Sequence, residues 1–250
     1  MLNPIYTEPT SCRDCYKCVR SCPVKAIQIK DGNAMIVKER CIYCGKCVDI
    51  CPNSAKKIRD DVDRVKLAIA SGRPVFCSLA PSYSSEFAGR EAELLTALRK
   101  LGFREISETA IGAALVTQAL DIYASEHDGK CPFIGTACPS VVELVKKYHP
   151  EKIGRLAPVP SPLQAHSAYL RSIYNEDLVI VFIGPCIAKK TEADSTPGYP
   201  DLALTFDELR SWFSAEGIDL DSIEPEHVDF VPAKAGISSI YPIEGGQIMS

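Results

Sequence analysis

Apolar positions along the chain fall into two regimes. Up to about residue 60 they are short and broken: Ala26–Lys30 and Ala34–Lys38 are brief apolar runs on either side of Asp31-Gly32. A D-G pair between such runs predicts a tight hairpin turn. Beyond residue 60, helix-like and strand-like stretches alternate. Asp60–Ser71 reads as a helix stopped by Gly72-Arg73-Pro74. Val75–Leu79 reads as a buried strand, and Ser84-Ser85-Glu86 opens a helix running to about Lys100. Strand-like Glu105–Ser107 precedes a helix over Thr109–Ser125. A short strand, Phe133–Thr136, precedes helices over Ser140–Tyr148 and Pro162–Tyr174. Leu178–Ile183 is the clearest buried strand, and Thr205-Phe-Asp-Glu208 is a capping-box pattern opening a helix to about Glu216-Gly217. Alternation of this kind predicts an α/β domain with a mainly parallel sheet.

Composition narrows the class. An apolar fraction of 46% and a charged fraction of 24% are those of a folded globular chain, not a disordered or fibrous one. The longest apolar runs are too short to span a bilayer, and Met1–Thr10 has no secretory signal pattern, so a cytoplasmic chain is expected. Residues 1–60 hold 11 Lys/Arg against 6 Asp/Glu, whereas the remainder holds 17 against 26. The basic segment carries no nucleic-acid recognition motif. It also holds eight of the 12 cysteines, and cations there would offset thiolates. In a reducing compartment clustered cysteines read as metal ligands before disulfides.

Those eight cysteines form a repeat. Cys12-x2-Cys15-x2-Cys18-x3-Cys22-Pro23 recurs 29 residues later as Cys41-x2-Cys44-x2-Cys47-x3-Cys51-Pro52. In this spacing three thiolates wrap one iron–sulfur cube, and the fourth, ahead of a proline, reaches the other cube. The expected sets are Cys12, Cys15, Cys18 and Cys51 for one 4Fe–4S cluster, and Cys41, Cys44, Cys47 and Cys22 for the second. Residues 1–60 are therefore predicted to be an α+β two-cluster ferredoxin domain, with 61–250 as the α/β domain. The clusters would supply much of the folding energy of so short a segment. Two nearby cubes carry electrons and imply a redox partner protein.

Ligands of α/β sheets sit beyond the carboxyl ends of the strands. Cys138 follows the Phe133–Thr136 stretch and precedes Pro139; Cys186 follows Leu178–Ile183 and Gly184-Pro185. Each precedes a helix start, where the dipole and free amides favour a thiolate. Cys77 and Cys131 read as small core residues. His127, His149, His166 and His227 share no ligand spacing, and Lys146-Lys147 and Lys190 read as solvated faces. No phosphate loop or dinucleotide fingerprint is present.

The segments Ala80-Pro81-Ser82, Phe133–Pro139, Ser161-Pro162 and Gly184-Pro185-Cys186-x2-Lys189-x2-Glu192 resemble the iron-only (FeFe) hydrogenases. The resemblance runs over roughly residues 3–245. It implies an H-cluster, a 4Fe–4S cube bridged through one cysteine to a two-iron site. Cys138 and Cys186 match two of the four cube ligands. Pro81, Ser82 and Lys189 match positions that contact the two-iron site, and Glu192 would pair with or orient Lys189.

Departures from the family pattern bear on activity. Catalytic members carry a proton-passing cysteine where this chain has Ala137, and a route serine where it has Ala157. The acidic relay position falls on Thr117, and the methionine ahead of the Pro-Cys pair is Gly184. A Tyr-Pro-Ile-Glu-Gly-Gly segment, Tyr241–Gly246, also occurs in the sensory branch, whose members detect hydrogen beside a downstream signalling module or kinase/phosphatase. The family's late C-x3-C pair is not found in these 250 residues, so a fragment of a longer protein from an anaerobe, or a degenerate relative, is expected. The functional reading is a hydrogen-sensing or weakly active FeFe-hydrogenase-like protein. A pure electron-transfer module with a docking domain and a cytosolic iron–sulfur assembly protein stand as alternatives.

Overall fold

The Asp31-Gly32 pair closes a hairpin in the computed structural model, which describes residues 3–126, 132–174 and 177–241. Both turn residues are left-handed, with φ of 50° and 71°, as a two-residue hairpin with native twist requires. The amino-terminal region runs β1 (Ile5–Thr7), α1 (Lys17–Ser21), β2 (Ile27–Lys30), β3 (Asn33–Ile36), α2 (Lys46–Asp49) and β4 (Lys56–Ile58). β2 and β3 form the predicted hairpin, with Lys30 opposite Asn33. β1 and β4 pair antiparallel, Thr7 opposite Lys56, which closes the two ends of the region on each other. β1 and β4, three residues each, carry too little apolar alternation to be read from sequence.

The α/β region begins with α3 (Val62–Ala70) and β5 (Val75–Leu79), then α4 (Tyr83–Glu86), α5 (Glu91–Lys100) and β6 (Glu105–Glu108). It continues through α6 (Ala110–Glu126), α7 (Pro139–Tyr148), α8 (Pro162–Tyr174), β7 (Val179–Gly184), α9 (Lys189–Ser195), β8 (Leu202–Thr205) and α10 (Phe206–Ala215). Four strands form one parallel sheet in the order β6-β5-β7-β8. The central strands β5 and β7 are buried along their whole length, which is why they read as continuous apolar runs. Val75, Cys77, Leu79, Val181 and Ile183 belong to the main core, shared with α3, α5 and α10. Phe76 and Ile180, one residue out of phase, meet Leu170 of α8 in a second cluster. Thr205 caps α10: its side chain accepts from the Glu208 amide while Glu208 accepts from the Thr205 amide, the predicted box.

Two expectations are corrected. The helix expected from Ser84 to Lys100 is broken: Phe87 leaves it to seat against the Phe206 ring, and Gly89 takes a left-handed φ of 74° before α5 starts. Phe133–Thr136 is not a strand of the sheet. It makes one isolated parallel bridge, Ile134 to Leu156, reinforced by Thr136 donating to the Val159 carbonyl at 2.9 Å. β8 escaped notice because Leu202–Thr205 is only four residues long and runs directly into the cap of α10. His127, Cys131 and all of the Tyr241–Gly246 segment after Tyr241 lie outside the described residues.

Candidate metal centres

Each cysteine run is folded on left-handed backbone, in matching places. Asp14, Tyr16 and Lys25 have φ of 50°, 58° and 50°, and their repeat partners Tyr43, Gly45 and Ser54 have 58°, 81° and 48°. A non-glycine residue in that region costs about 1–3 kcal/mol and persists only where its surroundings demand it. Here the demand includes amides turned towards sulfur. Ala26 N–H donates to Cys22 Sγ and Ala55 N–H to Cys51 Sγ, both at 3.2 Å, and Tyr43 N–H donates to Cys41 Sγ at 3.4 Å. Such bonds favour the thiolate.

The thiols sort across the runs. Burial holds the Cys18 thiol above its ordinary value, with the charges of Cys51 and Cys15 adding and the Lys56 ammonium opposing. Burial likewise raises Cys41, with Cys22 and Cys44 adding and Lys147 opposing. Cys47 is pushed up to about 12 by burial and then by Cys41, Cys44 and Cys18. Burial also acts upward on Cys51, yet the amides of Lys56, Ala55 and Asn53 and the Lys56 ammonium outweigh it, and that thiol sits below its ordinary value. A small cavity is lined by Cys22, Cys41, Cys44 and Cys47 together, with Ile5 and Ile36 as apolar walls. Cys12 packs, half-buried, beside Cys18, and Cys15 is exposed. Among the described residues no three potential ligands converge on one point as they would for a single ion. Four thiols spread around a cavity, with amides donating to sulfur, suit a group with several metal corners.

The later cysteines also meet. Cys186 lies beyond the end of β7, and burial raises its thiol, with Lys189 and the amides of Ala188 and Lys189 opposing and the charge of Cys138 adding. Cys138 is exposed at the start of α7, behind the bridge rather than a sheet strand. Cys186, Ile187 and Ala188 pack into the same apolar cluster as Ile5, Cys41, Tyr43 and Cys47. A Cβ on Gly45 would meet Ile187 Cδ1 at 3.0 Å, so backbone and side chain touch across the boundary between the two regions.

A model of the iron only hydrogenase large subunit, C-terminal domain, matches residues 73–250. The chain belongs to the iron-only hydrogenase family. A 4Fe-4S dicluster domain matches residues 4–52, so the amino-terminal region is a two-cluster iron–sulfur domain. The NADP-reducing hydrogenase subunit HndD of Solidesulfovibrio fructosivorans is 27% identical over 262 residues, covering 96% of this chain and 42% of that protein. The cytosolic Fe-S cluster assembly factor NAR1 of Scheffersomyces stipitis is 26% identical over 170 residues, covering 60% of this chain and 31% of that protein. A solved variant of the FeFe-hydrogenase HydA1 from Chlamydomonas reinhardtii shares the fold with a TM-score of 0.60 at 24% identity, over 71% of this chain and 53% of that one. The chain thus spans about half the length of the relatives it matches, or less.

Within this iron-only hydrogenase fold, Lys189 is buried, and its ammonium donates to Glu192 Oε2 at 2.6 Å and to Ser161 Oγ at 3.4 Å. Ser161 also donates to Glu192 Oε1. The expected Lys189–Glu192 pair therefore exists, and Ser161 completes it. Pro81 and Ser82, both half-buried, form the turn from β5 into α4. Ala80 donates its amide to the Ile183 carbonyl at 2.8 Å, which lays that turn beside the end of β7. A Cβ on Gly184 would lie 2.5 Å from Phe182 Cζ and 2.6 Å from Ala80 Cβ, so no larger side chain fits there. Ala137 is half-buried and Ala157 buried; neither carries an ionisable side-chain proton.

Two lysines read as solvated are not. Lys190 is fully buried: its ammonium donates to Asp61 Oδ2 and Glu208 Oε1, each at 2.8 Å, and to the Ala203 carbonyl at 3.0 Å. Lys147 donates to the Cys41 carbonyl at 2.6 Å and lies over the Tyr43 ring, while Tyr148 OH reaches the Val24 and Arg40 carbonyls at 3.0 and 2.8 Å. The Lys-Tyr end of α7 thus clamps the loop bearing Cys41. Its partners are backbone carbonyls of distant residues, and no sequence pattern reveals them.

Proposed function

We propose that this chain is an iron–sulfur electron-transfer protein of the hydrogenase-like kind, suited to sensing hydrogen or to turning it over slowly. In this reading Cys12, Cys15, Cys18 and Cys51 hold one 4Fe–4S cluster, and Cys22, Cys41, Cys44 and Cys47 hold the other. Cys138 and Cys186 supply two ligands of a third, H-cluster-type cube. The observation that carries it is the gathering of Cys22 from the first run with Cys41, Cys44 and Cys47 of the second around one small cavity, joined by a continuous apolar cluster to Cys186. When bound, such clusters take up and release single electrons. The protein's own residues bury some of the sulfurs, Cys18 and Cys41 most deeply, donate amides to others, and hold the Lys189 ammonium in a buried place beside Cys186, fixed by Glu192 and Ser161. A positively charged donor there suits an anionic ligand of a two-iron group, and Pro81 and Ser82 would border it.

The same reading assigns slow hydrogen chemistry, suited to sensing. Ala137 offers no proton where catalytic relatives use a cysteine, and a missing acid–base group lowers rates by about 10²–10⁴. Electrons would pass to a redox partner protein in the reducing, cytoplasmic setting that thiolates need, with a signalling module as the downstream reader. Among the described residues no helix is long and apolar enough to cross a membrane.

Anaerobic purification with iron and sulfide analysis tests the ligand sets: about eight irons per chain is expected from two cubes, with more where a third cube is occupied. A colourless, iron-free preparation overturns the reading. The similarity to NAR1 favours assembly as the second reading. Infrared bands of metal-bound CO and cyanide in the matured protein distinguish the hydrogen-related function from assembly.

A further inference from the structure

The two cysteine runs are near copies, and the residues behind them show where the copies differ. Ala26 and Ala55 occupy equivalent places, both buried, each donating its amide to the fourth cysteine of its own run at 3.2 Å. The next residues are Ile27 in the first repeat and Lys56 in the second. Ile27 is an ordinary core residue, 9% exposed, but Lys56 is more deeply buried, at 3%. An ammonium has replaced an aliphatic group inside the domain.

Its bonds do not account for it. The Lys56 ammonium donates to Thr7 Oγ1 at 3.0 Å and to the Ala34 carbonyl, both neutral oxygens. Thr7 itself donates to the same carbonyl at 2.8 Å. Among the described residues no carboxylate pairs with Lys56, whereas the other deeply buried lysine, Lys190, has two. A buried cation without a counter-charge is unfavourable by several kcal/mol. Cysteine sulfurs are the groups at hand that can supply the anion. Ala34, which accepts from the ammonium, packs in one cluster with Cys12 and Cys18 of one thiol set and Cys22 and Cys47 of the other.

We infer that Lys56 is a buried counter-cation shared by both iron–sulfur sites, and that it raises the reduction potentials of both. The inference rests on the crossed ligand sets proposed above. A cube bound by four thiolates is anionic, and each added electron makes it more so. A fixed cation nearby therefore favours the reduced form. One cation facing both sites also eases placing two reduced, mutually repelling groups close together.

The test uses the full chain, reconstituted anaerobically and titrated electrochemically while the reduced clusters are followed by electron paramagnetic resonance. Iron and sulfide content is measured first, so that failure of the ligand assignment shows as lost clusters rather than as unshifted potentials. Lys56→Met and Lys56→Ile, the latter restoring the first repeat's residue, are expected to load both clusters with both potentials shifted lower. Lys56→Arg is expected to stay near the parent, and Lys57→Met, at the exposed neighbour, to shift far less. Unchanged potentials in loaded Lys56→Met or Lys56→Ile, a shift confined to one cluster, or an equal shift from Lys57→Met would each overturn the inference. If the neutral variants fail to load and Lys56→Arg loads, the charge requirement stands. If all three Lys56 variants fail to load, it falls, because packing rather than charge then demands lysine.

Discussion

His166 shows how much one side chain can hide from sequence. It lies fully buried on α8, with Nδ1 2.8 Å from Ser78 Oγ on β5 and Nε2 2.8 Å from Ser107 Oγ on β6. Ser78 Oγ is in turn 2.8 Å from Thr109 Oγ1. Burial alone lowers the His166 pKa from 6.5 to about 3, so the ring is neutral in the folded chain at ordinary pH. The unfolded chain takes up a proton near pH 6.5 that the folded chain refuses until about pH 3. This contribution to stability is therefore complete above that range and lost as pH falls through it, at up to about 1.4 kcal/mol per pH unit. Urea midpoints of the loaded protein measured between about pH 7.5 and 5.5 should fall on acidification, and His166→Gln should flatten that slope. An equal slope in the variant would assign the titration elsewhere. From sequence this histidine looked like the other three, because its partners come from two strands more than 50 residues away.

Helices α6 and α8 pack directly on each other, and a glycine stands at their contact. A Cβ on Gly112 would lie 2.0 Å from the Pro162 carbonyl oxygen and 2.7 Å from His166 Cβ. Gly112 is there because a backbone passes where a side chain would be, not for its backbone freedom. Gly112→Ala should destabilise the loaded protein by about 1–3 kcal/mol or more, read as a lower urea midpoint. Gly154→Ala, at a site with nothing within 4 Å, should leave it nearly unchanged. The lengths of α6 and α8 follow from their apolar spacing. Their separation follows from this single absent methyl group.

The two regions are joined by charge as well as by apolar contact. Arg59, just past β4, donates to Asp61 and, at 2.7 Å, to Asp194 of α9; Arg64 reaches Asp61 at 2.9 Å, and Lys190 joins Asp61 to Glu208 of α10. Three cations and three carboxylates thus balance around the end of the dicluster region. Burial acts to raise the Asp61 pKa, but Arg59, Lys190 and Arg64 outweigh it and hold the carboxyl below its ordinary value. Lys190→Met would leave Asp61 and Glu208 under-compensated in a buried place, at a cost of about 3–5 kcal/mol. Denaturant unfolding of the loaded protein should show that loss, and limited proteolysis should show easier cleavage near residues 59–61. A variant as stable as the parent, and as resistant to cleavage, would mean that apolar contact alone joins the regions.

The spacing of the cysteine runs, the Asp31-Gly32 turn, the Thr205–Glu208 cap and the buried strands β5 and β7 were all legible in the chain. Each is a local pattern whose physics spans a few residues. The same was true of Cys138, Cys186, Lys189 and Glu192 as candidates, and the last two do pair. The break at Phe87–Arg90, the detached Phe133–Thr136 bridge and strand β8 were not legible. Neither was the burial of Lys190, His166 and Lys56, nor the grip of Lys147 and Tyr148 on the Cys41 loop. In each of these, residues far apart in sequence compete for one buried place, and only packing decides which polar group finds a partner there.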